Sequence, residues 1–306
     1  MFRRIRASLG TMIAIGALML AGCSTNDPFS PGGGSPGASL EHTIVVGSQD
    51  YYSNEIIAEI YAQALEKAGY TVDRQFRIGQ REVYLPEIEA GRIDLFPEYS
   101  GPLLQYWQPD TKAKLADDVY AALQKATPAG LRVLDQSPAT DQDSYVVTQQ
   151  FADQWGLTTI DDLAKVTVPL TMGANSEAQT RPNGPKGLLA TYGIKAGFTP
   201  IEDGGGPLTV KALKDDQIQL AIIYTADPSI VTDGLVSLED DKGLFLASHV
   251  VPLASGNVDD KAASVINAIS AAMAPQDLVA LNARSVTDQL PASRIAGDWL
   301  AQKNLG

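Results

Sequence analysis

The chain has 306 residues, 44% of them hydrophobic, enough for two lobes of about 100–150 residues each. Its 36 acidic residues outnumber its 23 basic ones and give a formal charge of −13, which argues against a binder of nucleic acid or anionic lipid. Cys23 is the one cysteine, so no internal disulfide can form and stability has to come from a packed core.

Arg3, Arg4 and Arg6 precede an apolar run from Leu9 to Leu20, closed by Leu20-Ala21-Gly22-Cys23. This is the pattern of a secretory signal, too short for a membrane span. Leu-Ala-Gly-Cys resembles a bacterial lipobox, in which the cysteine becomes the lipidated first residue; the competing reading is an unmodified, buried Cys23. The expectation is a signal segment at 1–22, lipid on Cys23, and an extracytoplasmic domain anchored to the cell membrane. Residues 23–41 are rich in Ser, Pro and Gly and lack a hydrophobic period, as a disordered tether would.

Order is expected from near His42. Thr43–Gly47 (TIVVG) reads as a buried strand. Ser53 or Asn54 then caps a helix whose apolar residues, Ile56 to Ala68, follow helical spacing up to Gly69. Residues 71–78 read as a strand, 80–90 as a short helix containing Pro86, and Ile93–Phe96 as a third strand. This alternation predicts a parallel, doubly wound lobe. A helix at 112–126 and a strand at Arg132–Leu134 follow, and Ser144–Thr148 is the expected crossing. A second series places strands at 166–171, 198–202 and Leu220–Tyr224, with helices near 160–164, 186–192 and 207–214. Residues 235–253 carry short strands that return to the first lobe, and the tail is helical at 258–272, 275–285 and 291–303. Two α/β units joined by two crossings describe a hinged protein with a ligand cleft between its lobes. The boundaries place 42–143 plus 246–306 in lobe 1 and 144–245 in lobe 2.

Recognisable catalytic and metal motifs are missing. His42 and His249 are the two histidines, and there is no HExxH, Walker A loop or G-x-S-x-G elbow. Gly204-Gly205-Gly206 lacks a following Lys-Ser/Thr and reads as a turn. The paired aspartates, such as Asp161-Asp162, read as solvated helix starts. A carboxylate pair could still meet in three dimensions, which keeps a secreted glycosidase as a competing class. A sensing module without a permease is another. No catalytic residue, metal or cofactor is expected.

Three tyrosines stand at strand ends: Tyr99 after Ile93–Phe96, Tyr145 at the crossing, and Tyr224 closing Leu220–Tyr224. Strand C-termini of an open α/β sheet border its ligand crevice. Singly, each tyrosine could just cover a loop. Together they suit a quaternary ammonium, at roughly 0.5–2 kcal/mol per aromatic face.

The stretches GSQDYYSNEIIAEIYAQALEKAGY, GRIDLFPEYSG and LAIIYTAD resemble the substrate-binding lipoproteins of glycine betaine, choline and carnitine ABC importers. The resemblance runs from His42 to Gly306. It implies an α/β, two-lobed, type II periplasmic-binding-protein fold, with the ligand cleft between lobes joined by two crossings. It also implies a monomer that is not an enzyme and hands a small molecule to an ABC permease and its ATPase. The family's cage tyrosines fall on Tyr99, Tyr145 and Tyr224, and its carboxylate-gripping arginine on Arg181. Ser248 stands where a fourth cage tyrosine is expected, Gln49 where the family has lysine, and Pro102 where it has threonine. These departures imply weak glycine betaine binding and room for a bulkier or flatter ligand, such as a polyol or a phenol. Tyr51, Tyr52 and Trp107 are the other aromatics able to supply the missing wall.

Overall fold

Two five-stranded sheets organise residues 43–305, the part of the chain that this computed structural model describes. The expected signal segment 1–22, Cys23, the tether 23–41 and His42 lie outside the described residues. The first sheet receives β1 (Thr43–Gly47), β2 (Thr71–Gln75), β3 (Leu95–Tyr99) and β4 (Leu131–Val133). The chain then builds a second sheet from β5 (Asp143–Thr148), β6 (Thr171–Ala174), β7 (Gly197–Pro200), β8 (Leu220–Tyr224) and β9 (Leu235–Ser237). It returns to the first with β10 (Val250–Ser255). The strand orders are β2-β1-β3-β10-β4 and β7-β6-β8-β5-β9.

Neither sheet is purely parallel: the three strands of the first alternation pair in parallel as expected, whereas the strands that pass between the sheets run the other way. β1 runs parallel to β2 and β3, but β10 is antiparallel to β3 and β4. Likewise β6 is parallel to β7 and β8, while β5 is antiparallel to β8 and β9. The antiparallel member in each sheet is the strand that arrives from the other one. No helical crossover within the sheet precedes it, so the rule that makes βαβ neighbours parallel does not apply.

Helices cover both faces of the first sheet. On one face, α1 (Tyr52–Lys67) packs beneath three tail helices that follow β10. Between them in the chain stand α2 (Arg81–Glu89), α3 (Ser100–Trp107), α4 (Ala116–Ala126), α5 (Gln149–Trp155), α6 (Pro185–Tyr192), α7 (Pro207–Lys214) and α8 (Ser229–Thr232). The tail helices are α9 (Asp260–Ala272), α10 (Pro275–Val286) and α11 (Ala292–Lys303). Strand alternation divides the apolar residues between the two faces. Ile44 and Val46 face α1 and the tail, while Val45 faces α2 to α4. In the second sheet, Tyr145 and Val147 face one core and Val146 the other.

Several elements differ from their predicted positions for local reasons. α1 begins at Tyr52, because Asn54 does not cap it. The Asn54 side chain instead accepts from Gln49 N at 2.8 Å and donates to Pro97 O at 2.9 Å. α3 was not anticipated from Ser-Gly-Pro, yet Pro102 sits in its first turn, where a missing N–H costs nothing. α5 was also unanticipated; Thr148 Oγ1 caps it by accepting from Phe151 N. The strand expected at 166–171 forms at Thr171–Ala174, where Met172 pairs with Leu220, whereas the β-branched Val168 is exposed on the way in.

The two crossings lie side by side. Asp141 N donates to Ser248 O at 3.1 Å, Ser248 Oγ donates to Asp141 O at 2.9 Å, and Thr140 forms an antiparallel bridge with His249. On the returning segment, Phe245 packs with the second sheet's core and Leu246 with the first's.

Candidate ligand cavity

Where the two lobes face each other, strand ends enclose a cavity of about 300 Å³. Gln49 follows β1, Tyr99 ends β3, Asp143 opens β5 and Tyr224 ends β8, and all four line it. Gly47, the last residue of β1, passes closely over the Phe96 ring. A Cβ at this position would come within 2.7 Å of Phe96, whose ring fills the space beneath.

One wall is aromatic. The rings of Tyr51 and Tyr224 lie 5.2 Å apart at 38°, and Tyr99 is 4% exposed beside them. Tyr52 stands edge-on to Tyr51 at 6.5 Å and donates through Oη to Asp227 Oδ2 at 2.6 Å. Gly204, in a turn with φ of +66°, approaches Tyr51 from the second lobe. Burial pushes the Tyr51, Tyr99 and Tyr224 phenols up. They therefore stay neutral and present ring faces together with O–H donors.

The Asp-Leu-Phe-Pro-Glu-Tyr stretch mostly builds the support for this wall. Asp94 accepts from Val45 N at 2.9 Å, Ser255 Oγ at 2.8 Å and Asn257 Nδ2 at 2.9 Å, and so ties β1, β3 and the end of β10 together. Glu98 is fully buried. It accepts from Arg81 Nε and Nη2 at 2.8 and 2.9 Å, from Tyr84 Oη at 2.6 Å and from Tyr99 N at 2.8 Å. Burial opposes the charge on Arg81, but Glu98 outweighs it and holds the guanidinium protonated.

Much of the remaining lining is charged. Arg181 reaches across from the second lobe to the start of α2, where Nε and Nη2 donate to Glu82 at 3.0 and 2.6 Å. Burial works against both charges, and their mutual attraction prevails, holding Glu82 below its ordinary range. Asp141 and Asp143 make no salt bridge among the described residues. Asp141 Oδ1 accepts from Ala226 N at 3.0 Å. Burial raises the Asp141 carboxyl to about 8, with nearby Asp227 and Asp143 adding to the effect. Burial also raises Asp143, against the fields of Arg181 and Arg81.

Three buried polar atoms of cavity-lining residues have no hydrogen-bond partner: Gln49 Nε2, Tyr99 Oη and Asn183 Oδ1. Buried groups of this kind cost stability unless something satisfies them. Their convergence on one cavity marks the place where a ligand would supply the missing bonds.

Of the six residues expected here, Tyr99, Tyr224, Arg181 and Gln49 line the cavity, whereas Tyr145 and Ser248 do not. Tyr145 shares a strand face with Asp143 but lies two residues deeper. Its ring meets Phe245 edge-on at 5.0 Å, and its Oη donates to Asn183 O at 2.8 Å, within the second lobe's core. Ser248 is 1% exposed and spends its side chain on the neighbouring crossing. Tyr51, one of the other aromatics considered, lines the cavity beside Tyr224. Trp107 and Tyr52 point elsewhere, to Glu89 and Asp227. Arg81, Glu82, Asp141, Asp143 and Asn183 were not anticipated. The sequence signal available for the two aspartates was their spacing, which places them on either side of Gln142 at the crossing.

Comparison with known proteins agrees with this architecture. The family described as the substrate binding domain of ABC-type glycine betaine transport system matches residues 42–302. The glycine betaine-binding protein YehZ of Escherichia coli (strain K12) is 24% identical over 275 residues, covering 85% of this chain and 90% of the relative. A glycine-betaine-binding protein of Pseudomonas aeruginosa is 25% identical over 282 residues, covering 88% and 90%. A crystal structure of a glycine betaine/carnitine/choline ABC transporter protein superimposes with a TM-score of 0.69 at 19% identity, covering 86% of this chain and 99% of that one. The fold is the two-lobed type II periplasmic-binding-protein fold. Members of the matched family are substrate-binding proteins, which take up small molecules outside the cytoplasm and meet an ABC permease. With that match spanning nearly all of the described residues, the chain belongs to the family of substrate-binding domains of ABC-type glycine betaine transport systems.

Proposed function

We propose that this protein captures a quaternary ammonium solute between Tyr51, Tyr99 and Tyr224 and delivers it to an ABC importer from a lipid anchor at Cys23. The observation that supports the ligand class is the aromatic wall itself. Three neutral ring faces lie beside unsatisfied polar atoms in a cavity of about 300 Å³, a size suited to a small solute. A cation held against such faces and shielded from water gains about 2 kcal/mol or more.

The lobes 42–143 plus 246–306 and 144–245 move as two bodies in this reading. The ligand touches both, so it stabilises the closed arrangement by its differential affinity for that state. The Arg181–Glu82 pair already spans the cleft and marks where the closing surfaces meet. No bond in the ligand is made or broken. The case for a bulkier, flatter ligand draws partly on an open wall at Ser248; that side chain bonds to Asp141 O and does not line the cavity, which weakens that part of the case.

Calorimetric titration with choline, carnitine and glycine betaine tests the reading. At least one should bind, and Tyr99→Ala should abolish or strongly weaken it. Failure of all three to bind folded protein would refute it. The anchor has its own test: Cys23→Ala should move the protein from the membrane to the soluble fraction, and retention would refute lipidation.

A further inference from the structure

Carboxyl groups outnumber guanidiniums around the cavity. Both guanidiniums near it are already engaged, each by two hydrogen bonds to a carboxylate, and Arg181 also donates to Gln80 Oε1. Arg81 is held by Glu98 at 2.8 and 2.9 Å, and Arg181 by Glu82 at 3.0 and 2.6 Å. Asp141 and Asp143 line the same cavity with no basic partner in salt-bridge contact. Four carboxyl groups thus face two guanidiniums.

We propose that this cavity selects a net cation carrying its own hydrogen-bond donor over a zwitterion, and that Asp141, Asp143 and Glu82 set the preference. The inference rests on the cavity being the solute site. A bound cation offers both aspartates, whose carboxyls burial raises, a partner for their charged form. A zwitterion brings a further carboxylate, which must either displace Glu82 from Arg181 or lie unpaired near Asp143, and the low-dielectric surroundings make both costly. The unpartnered atoms point the same way. Asn183 Oδ1 is an acceptor in want of a donor, and it lines the cavity together with the two aspartates. A hydroxyl or N–H at the tail of the ligand satisfies that acceptor, and a carboxylate does not. Gln49 Nε2 remains as a donor for the oxygen of such a hydroxyl.

Choline and glycine betaine share a trimethylammonium head and differ in the tail, hydroxyl against carboxylate, so the pair isolates the charge. Both are titrated into wild-type protein and into Glu82→Gln and Asp143→Asn, with melting curves to show that each variant is folded. Choline should bind wild type at least about tenfold more tightly than glycine betaine, the scale of one partly screened charge contact. Glu82→Gln frees Arg181 and should shift the ratio of the two affinities toward glycine betaine by about tenfold. A merely structural strut at Glu82 would weaken both ligands by the same factor and leave the ratio unmoved, which would overturn the role of Glu82. Asp143→Asn should weaken choline and spare glycine betaine. Tighter binding of glycine betaine than choline by wild type, with Tyr99→Ala still destructive, would overturn the charge preference and leave the solute site standing. Binding of neither ligand would overturn both.

Discussion

Arg81–Glu98 and Arg181–Glu82 are two arginine–carboxylate pairs of nearly the same geometry at one cavity, and their surroundings give them opposite roles. In the first pair the two side chains are 7% and 0% exposed, both belong to the first lobe, and Tyr84 Oη and Tyr99 N complete the carboxylate's bonds. In the second they are 20% and 42% exposed and belong to different lobes. A dry, fully bonded pair within one lobe fixes the position of Tyr99. A wetter pair across a cleft can be exchanged for water, or for a ligand, at small cost. Bond lengths would not separate a strut from a contact that opens; burial and topology do.

The largest expected effect breaks the dry pair. Glu98→Gln or Arg81→Met leaves a buried charge uncompensated and should destabilise the fold by about 3–5 kcal/mol, measured by denaturant unfolding. A loss as small as that of a surface pair would dissolve the contrast. Asp141, which has neither kind of partner, gives a pH signature instead. Burial raises its folded pKa to about 8, above the value of about 3.9 for an unfolded chain. The native state therefore binds more protons than the unfolded one, and stability falls as pH rises. The contribution is whole below about pH 4 and lost by about pH 8. Asp141→Asn should flatten that part of the slope in melting temperatures taken between those limits, and an unchanged slope would show that the carboxyl does not titrate there.

Next come the ring faces. Tyr99→Ala and Tyr224→Ala should each weaken the best ligand by about 1–3 kcal/mol. Tyr120→Phe, which loses only a bond to Leu134 O on the far side of the first sheet, should leave affinity unchanged. Equal losses at all three positions would mean that stability was being read as binding. The smallest effect is that of Glu82→Gln on the stability of the empty protein, within about 1 kcal/mol. A loss matching that of Glu98→Gln would make the cross-cleft pair a strut as well.

The architecture was legible because it is carried by local signals. β-branched runs, helical apolar spacing and the two changes of series along the chain place most elements within a few residues. Tyr99, Tyr224 and Gln49 were legible for a related reason, since strand C-termini face a crevice whatever the packing. Tyr145 and Ser248 mark the limit. The family resemblance implied a ligand contact at the first and a missing cage wall at the second, yet whether a side chain reaches the cavity depends on depth along a strand and on what the neighbouring backbone demands. Asp143 and Tyr145 share a face, and a two-residue step separates cavity from core. The clamp of Arg81 on Glu98 joins α2 to β3 through a buried contact that no local pattern announces. Tyr51 was recognisable as an aromatic but not as a wall, because its partner Tyr224 comes from the other lobe.

The reciprocal bonds between Asp141 and Ser248, with the bridge from Thr140 to His249, make the connection between the lobes a narrow ribbon instead of two independent cords. A ribbon bends readily across its flat face and resists shear in its plane. Closure of the kind proposed then follows one arc, as a door does on its pin, and brings the same atoms together on each cycle. Asp141 is both a link of that ribbon and a wall of the cavity. In the proposed closure the charge of the ligand would therefore act on a residue of the pivot itself, with no longer path needed between cargo and motion.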